Sequence, residues 1–317
     1  MRILSANGTY YTDLIREIRA ISGYSVDVEI LNAHRQHSRR FEDFKFVYPV
    51  LSRRSHGISI GINTNPDKVC SFDCIYCQVD RSAATPAGKF DLAIAEGELR
   101  AMLEIVQSNE LAKHQPFNSV PREMLRLNDI ALSGDAEPTT LQNFSAIIEM
   151  IARVKPRSAK IILITNAGGL ERADVKRGMA IMDANDGEVW AKLDAGTGEY
   201  FRLINCTKIP FARILENIKA TAKDRPIIIQ SLFLKLRGRG PSADEIGAYC
   251  GRLRDIVDAG GSIQRVQICT VARKPVRILE GLPAWKSAEA LANADVDAIA
   301  RRVHEETGLN VESFYGA

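Results

Sequence analysis

Between residues 57 and 271 the chain repeats one pattern: a short apolar, β-branched run, a turn, then a longer segment whose apolar positions recur at helical spacing. The runs are GISIGINT (57–64), DIALS (129–133), KIILIT (160–165), EVWAKLD (188–194), PIIIQSLFLK (226–235) and QRVQICTV (264–271). Helical stripes lie between them at 90–107, 141–154, 171–183, 211–223 and 242–260. For the last of these, Ser242 and Glu245 form a capping box and Gly260 a left-handed C-terminal cap. A strand followed by a helix of a dozen or so residues predicts parallel pairing with helices outside. Runs apolar on both faces predict a curved or barrel-like α/β sheet of six strands.

The flanks break the pattern. Residues 1–46 read as an N-terminal extension: a helix over Thr9–Ala20, an extended piece, then basic residues. Residues 47–271 form the core. Residues 272–317 form a cap segment: the Pro-punctuated crossing ARKPVRILEGLPAW, an Ala-rich helix over 288–307 and a short end strand, NVESFY. Neither flank reads as an independent domain.

Composition adds the class. Of 317 residues, 45% are hydrophobic and 26% charged, the balance of a soluble enzyme with a sizeable core. No run reaches about 18 apolar residues, and charge arrives too early for a signal peptide, so a cytoplasmic protein without a membrane partner is expected. The net charge of +3 is too slight to announce nucleic-acid binding. Residues 34–54 hold six Lys/Arg against two Asp/Glu, which predicts a basic surface or an ordinary solvated face.

Half of the six cysteines crowd into CSFDCIYC (70–77). In a reducing compartment, thiols so placed hold metal more often than they form bridges. A structural zinc takes four ligands, usually as two pairs, and no second C-x2-C follows. A 4Fe-4S cluster has four irons, so Cys70, Cys74 and Cys77 would leave one open to a ligand that does chemistry. The cysteines follow the first strand, at the sheet edge where parallel α/β folds build active sites.

C-x3-C-x2-C with Tyr76 before the last cysteine resembles the signature of the radical S-adenosylmethionine (SAM) superfamily. That resemblance implies a 4Fe-4S cluster on Cys70, Cys74 and Cys77, with SAM chelating the open iron and split by one electron. The resulting 5′-deoxyadenosyl radical would then abstract hydrogen from a substrate. LSGDAEPTT (132–140) resembles the family's Gly-Gly-Glu element, which implies that Ser133, Gly134 and Glu137 hold the methionine end. Asn166 in LITNAGG would position ribose or carboxylate, Asp194 in KLDAGT the ribose hydroxyls, and the Tyr76 backbone the adenine.

The wider run YPVLSRRSHGISIGINTNPDKVCSFDCIYCQVDR, with SGDAEPT, KLDAG, FRLIN and VQICTVARKP, is similar to small iron–sulfur oxidoreductases distantly related to the tRNA wyosine-base synthases. This likeness covers roughly residues 47–317. It implies a partial (βα)6 barrel, an oxygen-sensitive cluster and an electron donor such as flavodoxin or ferredoxin. Wyosine-type enzymes carry cysteines ahead of the main motif; here none precedes Cys70, which argues against the wyosine reaction itself. Position 135, often glycine, is aspartate. An RNA base is the favoured substrate, with a small metabolite or a protein residue as alternatives.

Other residues are less specific. Strand alternation puts Lys192 and Asp194 on one face, where Lys192 pairs with Asp194, holds a carboxylate or forms a Schiff base. Cys269 faces inward as a candidate redox or radical participant, Cys250 reads as core, and Cys206 lies in a loop. The separations of Cys206, Cys250 and Cys269 match no ligand pattern. Gln230, Gln267 and Arg273 are placed to touch adenine, substrate or backbone. The five histidines show no ligand spacing. A non-catalytic iron–sulfur carrier explains the thiols alone, and an RNA-binding protein the basic stretch alone; a radical enzyme accounts for both.

Overall fold

A strand with every residue buried needs cover on both faces, and GISIGI (57–62) is such a strand. The computed structural model describes residues 32–35, 38–81, 88–276, 278–279, 282–283 and 288–316; the helix expected over Thr9–Ala20 lies outside them. The strands are β1 (Val47–Ser52), β2 (Gly57–Ile62), β3 (Leu127–Leu132), β4 (Lys160–Thr165), β5 (Gly187–Lys192), β6 (Ile227–Leu232), β7 (Leu234–Leu236), β8 (Ile263–Cys269), β9 (Ile278–Leu279), β10 (Leu282–Pro283), β11 (Ala288–Ala290) and β12 (Val311–Phe314). Eight make one sheet, ordered β1-β2-β3-β4-β5-β6-β8-β12. From β2 to β12 every pairing is parallel. The six expected strands form its centre, and the sheet curls into a partial barrel of the α/β class.

Helices alternate with these strands: α1 (Leu92–Gln107), α2 (Phe144–Val154), α3 (Ala173–Asp183), α4 (Gly198–Asn205), α5 (Phe211–Asp224), α6 (Ala243–Asp258) and α7 (Asn293–Thr307). Their stripes do what the spacing implies. In α1, Asp91 caps the first turn by accepting from Ala93 N and Ile94 N, and Leu99, Met102 and Val106 form the buried face. Fully burying Ile58, Ile60 and Ile62 on β2 contributes about 1.5–3 kcal/mol each.

Both sheet edges depart from the six-strand expectation. β1 is antiparallel to β2 with Pro49 opposite Ile60; a residue with no N–H to give suits an edge strand. β12, expected as part of a cap, instead extends the sheet beside β8, Val311 pairing Val266 and Phe314 pairing Cys269. Arg53, in the β1–β2 turn, donates to the Tyr315 carbonyl at 2.5 Å, so a side chain bridges the segments beside the two edge strands. The Ala-rich segment also divides: Ala288–Ala290 pairs with β7, and helix begins only at Asn293. Residues 45–47 are tied to α1, their three amides donating to the Glu98 carboxylate.

The expected capping box is half formed. Ser242 accepts from Glu245 N at 3.1 Å, but the Glu245 carboxylate turns away, accepting from Gly196 N and from both the N–H and hydroxyl of Thr197. Gly260 is left-handed, φ +86, as a C-terminal cap requires. The loop after β5 therefore lies directly on α6, which explains Gly196: a Cβ there would meet Tyr249 N and sit 2.6 Å from Glu245 O, both backbone. Gly196→Ala is expected to destabilise by roughly 1–3 kcal/mol and lower the melting temperature by about 5 °C or more. Calorimetry showing no shift would mean that the α6 backbone is free to move away.

Candidate active site

The three thiols stand at the C-terminal edge of the sheet, all half-buried and all free. They line a cavity of about 350 Å³. Every residue singled out for the site lines it too except Asp194 and Gln267: Tyr76, Ser133, Gly134, Glu137, Asn166, Lys192, Gln230, Cys269 and Arg273 join Cys70, Cys74 and Cys77 on its wall. Residues up to 200 positions apart are brought together because parallel strands deliver all their C-terminal ends to one edge.

The cysteine loop rests on α4, a helix that the sequence hid inside an apparent loop around FRLIN. Ile75 N donates to Ile204 O and Asp73 N to Asn205 O, so loop amides satisfy carbonyls that a helix end leaves unpaired. Cys206 follows in left-handed geometry and closes the helix. From the other side Val276 N donates to Cys77 O, and Arg273 Nε to Gln78 Oε1.

Asp194 is 2% exposed and lies behind the wall. Its Oδ1 accepts from Lys192 Nζ at 3.2 Å and Leu232 N at 2.9 Å; its Oδ2 accepts from the Tyr76 hydroxyl and from Asn205 Nδ2 at 2.9 Å. One carboxylate thus ties β5, β6, α4 and the cysteine loop, and Lys192 also sits 5.2 Å over the Tyr76 ring. The ion pair anticipated for Lys192 is formed. Asn205 Nδ2 is also 3.5 Å from Cys74 Sγ. Burial first, and then the charge of Asp194, pushes the Cys74 thiol up to about 12. A cation bound there would invert that balance, since a coordinated thiol is deprotonated outright.

Glu137 is 3% exposed and holds the next two loops. Oε1 accepts from Thr139 N, Thr139 Oγ1 and Thr165 Oγ1; among the described residues Oε2 accepts only from Asn166 N at 2.7 Å and keeps a lone pair. Burial raises its pKa, and the four donors oppose that rise. Asn166 reaches back to the cysteine loop, donating to Ser71 Oγ at 3.0 Å. Asp135, at the position where glycine was expected, accepts from Asn63 Nδ2 at 2.7 Å and Arg39 at 3.0 Å, while its own N–H donates to Asn63 Oδ1. Gly134 must be glycine for this clasp: a Cβ there would press on the Asn63 backbone.

Among the described residues no three His, Cys, Asp or Glu side chains converge as ligands of a single ion. Cys70, Cys74 and Cys77, free thiols grouped in one loop on the cavity wall that Glu137 also lines, fit a 4Fe-4S group and its open position.

Several wall residues escaped the sequence. Arg39, Arg53 and Arg54, expected on a basic surface, line the cavity. Asp129 faces it too, buried, bonded by Ser59, its pKa raised by burial. Tyr48 lines it and donates to Ser133 O at 3.2 Å. Strand alternation signals Asp129 and Tyr48; nothing local signals the arginines. Gln230 donates to Gln267 Oε1, Cys269 lines the wall, and Cys250 is fully buried.

No family profile matches the chain. A UPF0026 protein of Methanocaldococcus jannaschii is 32% identical over 162 residues, 50% of this chain and 42% of that protein, so the chain spans less than half of that relative. Among solved structures, a radical SAM methyltransferase from Sphaerobacter thermophilus superposes with a TM-score of 0.56 at 10% identity, covering 85% of this chain and 69% of that one. TYW1 with a lysine-pyruvate adduct bound gives 0.50 at 14% identity, covering 95% and 90%. At these identities the likeness is one of fold. The fold is thus similar to that of TYW1 and of this radical SAM methyltransferase.

Asp194→Asn, which strands Lys192 and weakens four bonds, is expected to cost roughly 2–4 kcal/mol in urea titration, and Tyr76→Phe about 1 kcal/mol. Equal losses would show that the charge of Asp194 is not what holds the loop. His34 is 3% exposed; burial first, then Arg53 and His56, holds its pKa down to about 4, against about 6.5 unfolded. It is neutral when folded, so its contribution is full above about pH 6.5 and is lost as the pH falls toward about 4. Stability measured across that window should fall less steeply in His34→Gln than in the unsubstituted protein; parallel slopes would count against it.

Proposed function

We propose that this chain is a radical SAM oxidoreductase whose Cys70, Cys74 and Cys77 hold a 4Fe-4S cluster and whose cavity binds SAM against the loops after β3 and β4. What supports this most is that the three thiols of the loop after β2 and the Glu137 carboxylate after β3 share one cavity wall, to which β8 also brings Cys269. When bound, the cluster would supply the electron that splits SAM to the 5′-deoxyadenosyl radical.

The chain's own residues then divide the remaining work. Glu137 Oε2, with its free lone pair, takes the methionine ammonium by a charge-assisted bond, and Ser133, Gly134 and Asn166 offer polar groups beside it. The Tyr76 backbone meets the adenine. Asp194, already accepting four bonds, acts as a positioning residue that keeps Tyr76 and Lys192 in place rather than as a ribose ligand. Lys192, Gln230 and Cys269 face the space left for substrate. The electron would come from a carrier such as flavodoxin or ferredoxin. Because Arg53 and Arg54 stand on the cavity wall instead of an outer patch, a compact substrate that enters the cavity is favoured over a surface-bound RNA. Among the described residues no helix is long and apolar enough to cross a membrane.

Anaerobic reconstitution with iron and sulfide should load about four irons per chain, and reductant with SAM should then yield 5′-deoxyadenosine. Cys74→Ala should lose both. A fully loaded protein that forms none, or equal formation by Cys74→Ala, would sink this assignment.

A further inference from the structure

Three guanidinium groups share the cavity wall without a carboxylate partner. Among the described residues, Arg53, Arg54 and Arg273 form no ion pair. Arg53 donates to the Tyr315 carbonyl, Arg273 donates to Gln78 Oε1 and the His34 carbonyl, and Arg54 Cζ lies 5.5 Å from the centroid of the Trp190 ring. All their partners are neutral. The other cations on the wall are matched: Arg39 by Asp135, Arg81 by Asp73, Lys192 by Asp194. The Asp129 carboxylate feels the charge of Arg54 but is already bonded by Ser59. Burial, and then repulsion from Arg53, Arg39 and Arg54, lowers the pKa of Arg273 to about 10.

Like charges gathered in a partly buried wall oppose folding unless a ligand brings the opposite sign. Guanidinium forks match the planar or tetrahedral oxygens of carboxylate and phosphate. Beneath Arg54 the floor is apolar, made by Ala131, Ile162, Ile164 and Trp190. The cavity is therefore polarised, with a cationic side, a hydrocarbon floor and the thiol loop.

We propose that the substrate is a compact molecule bearing a carboxylate or phosphate, and that Arg53, Arg54 and Arg273 seat that group while its carbon skeleton lies on the apolar floor facing the cysteine loop. This rests on the cavity being the site of the proposed reaction. The seat itself needs neither cluster nor SAM.

Calorimetric titration of the protein without added iron, at low ionic strength, tests it with inorganic phosphate and malonate as probes. At least one should bind. Arg54→Gln and Arg273→Gln should each weaken it about tenfold, Arg54→Lys less, and Arg100→Gln, exposed on α1, not at all. Phosphate binding points to a phosphorylated substrate and malonate binding to a carboxylate; either supports the seat. Failure of both probes, or variants that bind as the unsubstituted protein does, would overturn it. Because Arg54 makes no hydrogen bond among the described residues, Arg54→Gln carries the test should Arg273→Gln not fold. Bulk tRNA binding more tightly than either probe, with the same loss in Arg54→Gln, would overturn the compact substrate in favour of RNA. In cluster-loaded protein, the change that SAM causes in the reduced cluster's EPR signal should survive Arg54→Gln; its loss would reassign the seat to the cofactor. A missing 5′-deoxyadenosine product leaves the anion titration untouched, so the two failures are distinct.

Discussion

The Asp194 carboxylate is the point on which the site hangs. It is nearly fully buried, and it accepts from four donors on β5, α4, the cysteine loop and the end of β6. A buried charge is tolerated only where such partners surround it, and an unpaired one is costly. The demand runs both ways. Asp194 needs the donors, and the donors fix Tyr76, Lys192 and Asn205 relative to one another. The cysteine loop, with no regular structure of its own, thereby gains a defined place beside the strand ends.

Glu137 plays the matching part across the cavity. Its donors come from its own turn and from the end of β4, and Asn166 passes the restraint on to Ser71 at the head of the cysteine loop. Two buried carboxylates therefore brace the loop from opposite sides. They differ in what they have left: Asp194 is filled by protein donors, whereas Glu137 keeps acceptor capacity on the oxygen nearest Asn166.

Much of this was legible in sequence where the signal was local. KIILIT matches β4 residue for residue, and the other five runs fall within a few residues of their strands, because strands buried on both faces must be continuously apolar. The thiol spacing and SGDAEPT announced Cys70, Cys74, Cys77 and Glu137. Where the signal was not local, the reading failed or stayed blank. VYPVLS carries a proline that interrupts a strand pattern, the residues around Cys206 read as a loop although FRLIN ends the helix under the cysteines, and Glu245 leaves its capping box for Gly196 and Thr197. Asp135 looked like a departure from a pattern and proves to be the clasp between Asn63 and Arg39.

By itself the sequence determined the alternation of strand and helix, the parallel sheet that follows from it, and the chemical identity of the three thiols. These depend on period, chain length between runs, and residue type, all of which are properties of neighbours along the chain. Only the tertiary structure decided which face each charge takes. Arg53 and Arg54 read as surface residues, yet the curl of the sheet brings the β1–β2 turn onto the cavity wall and Arg53 to the chain beyond β12. Asp194 read as a ligand and is enclosed. The direction of a charged side chain is set by partners far away in sequence, through desolvation and hydrogen bonding, and no local pattern carries that information.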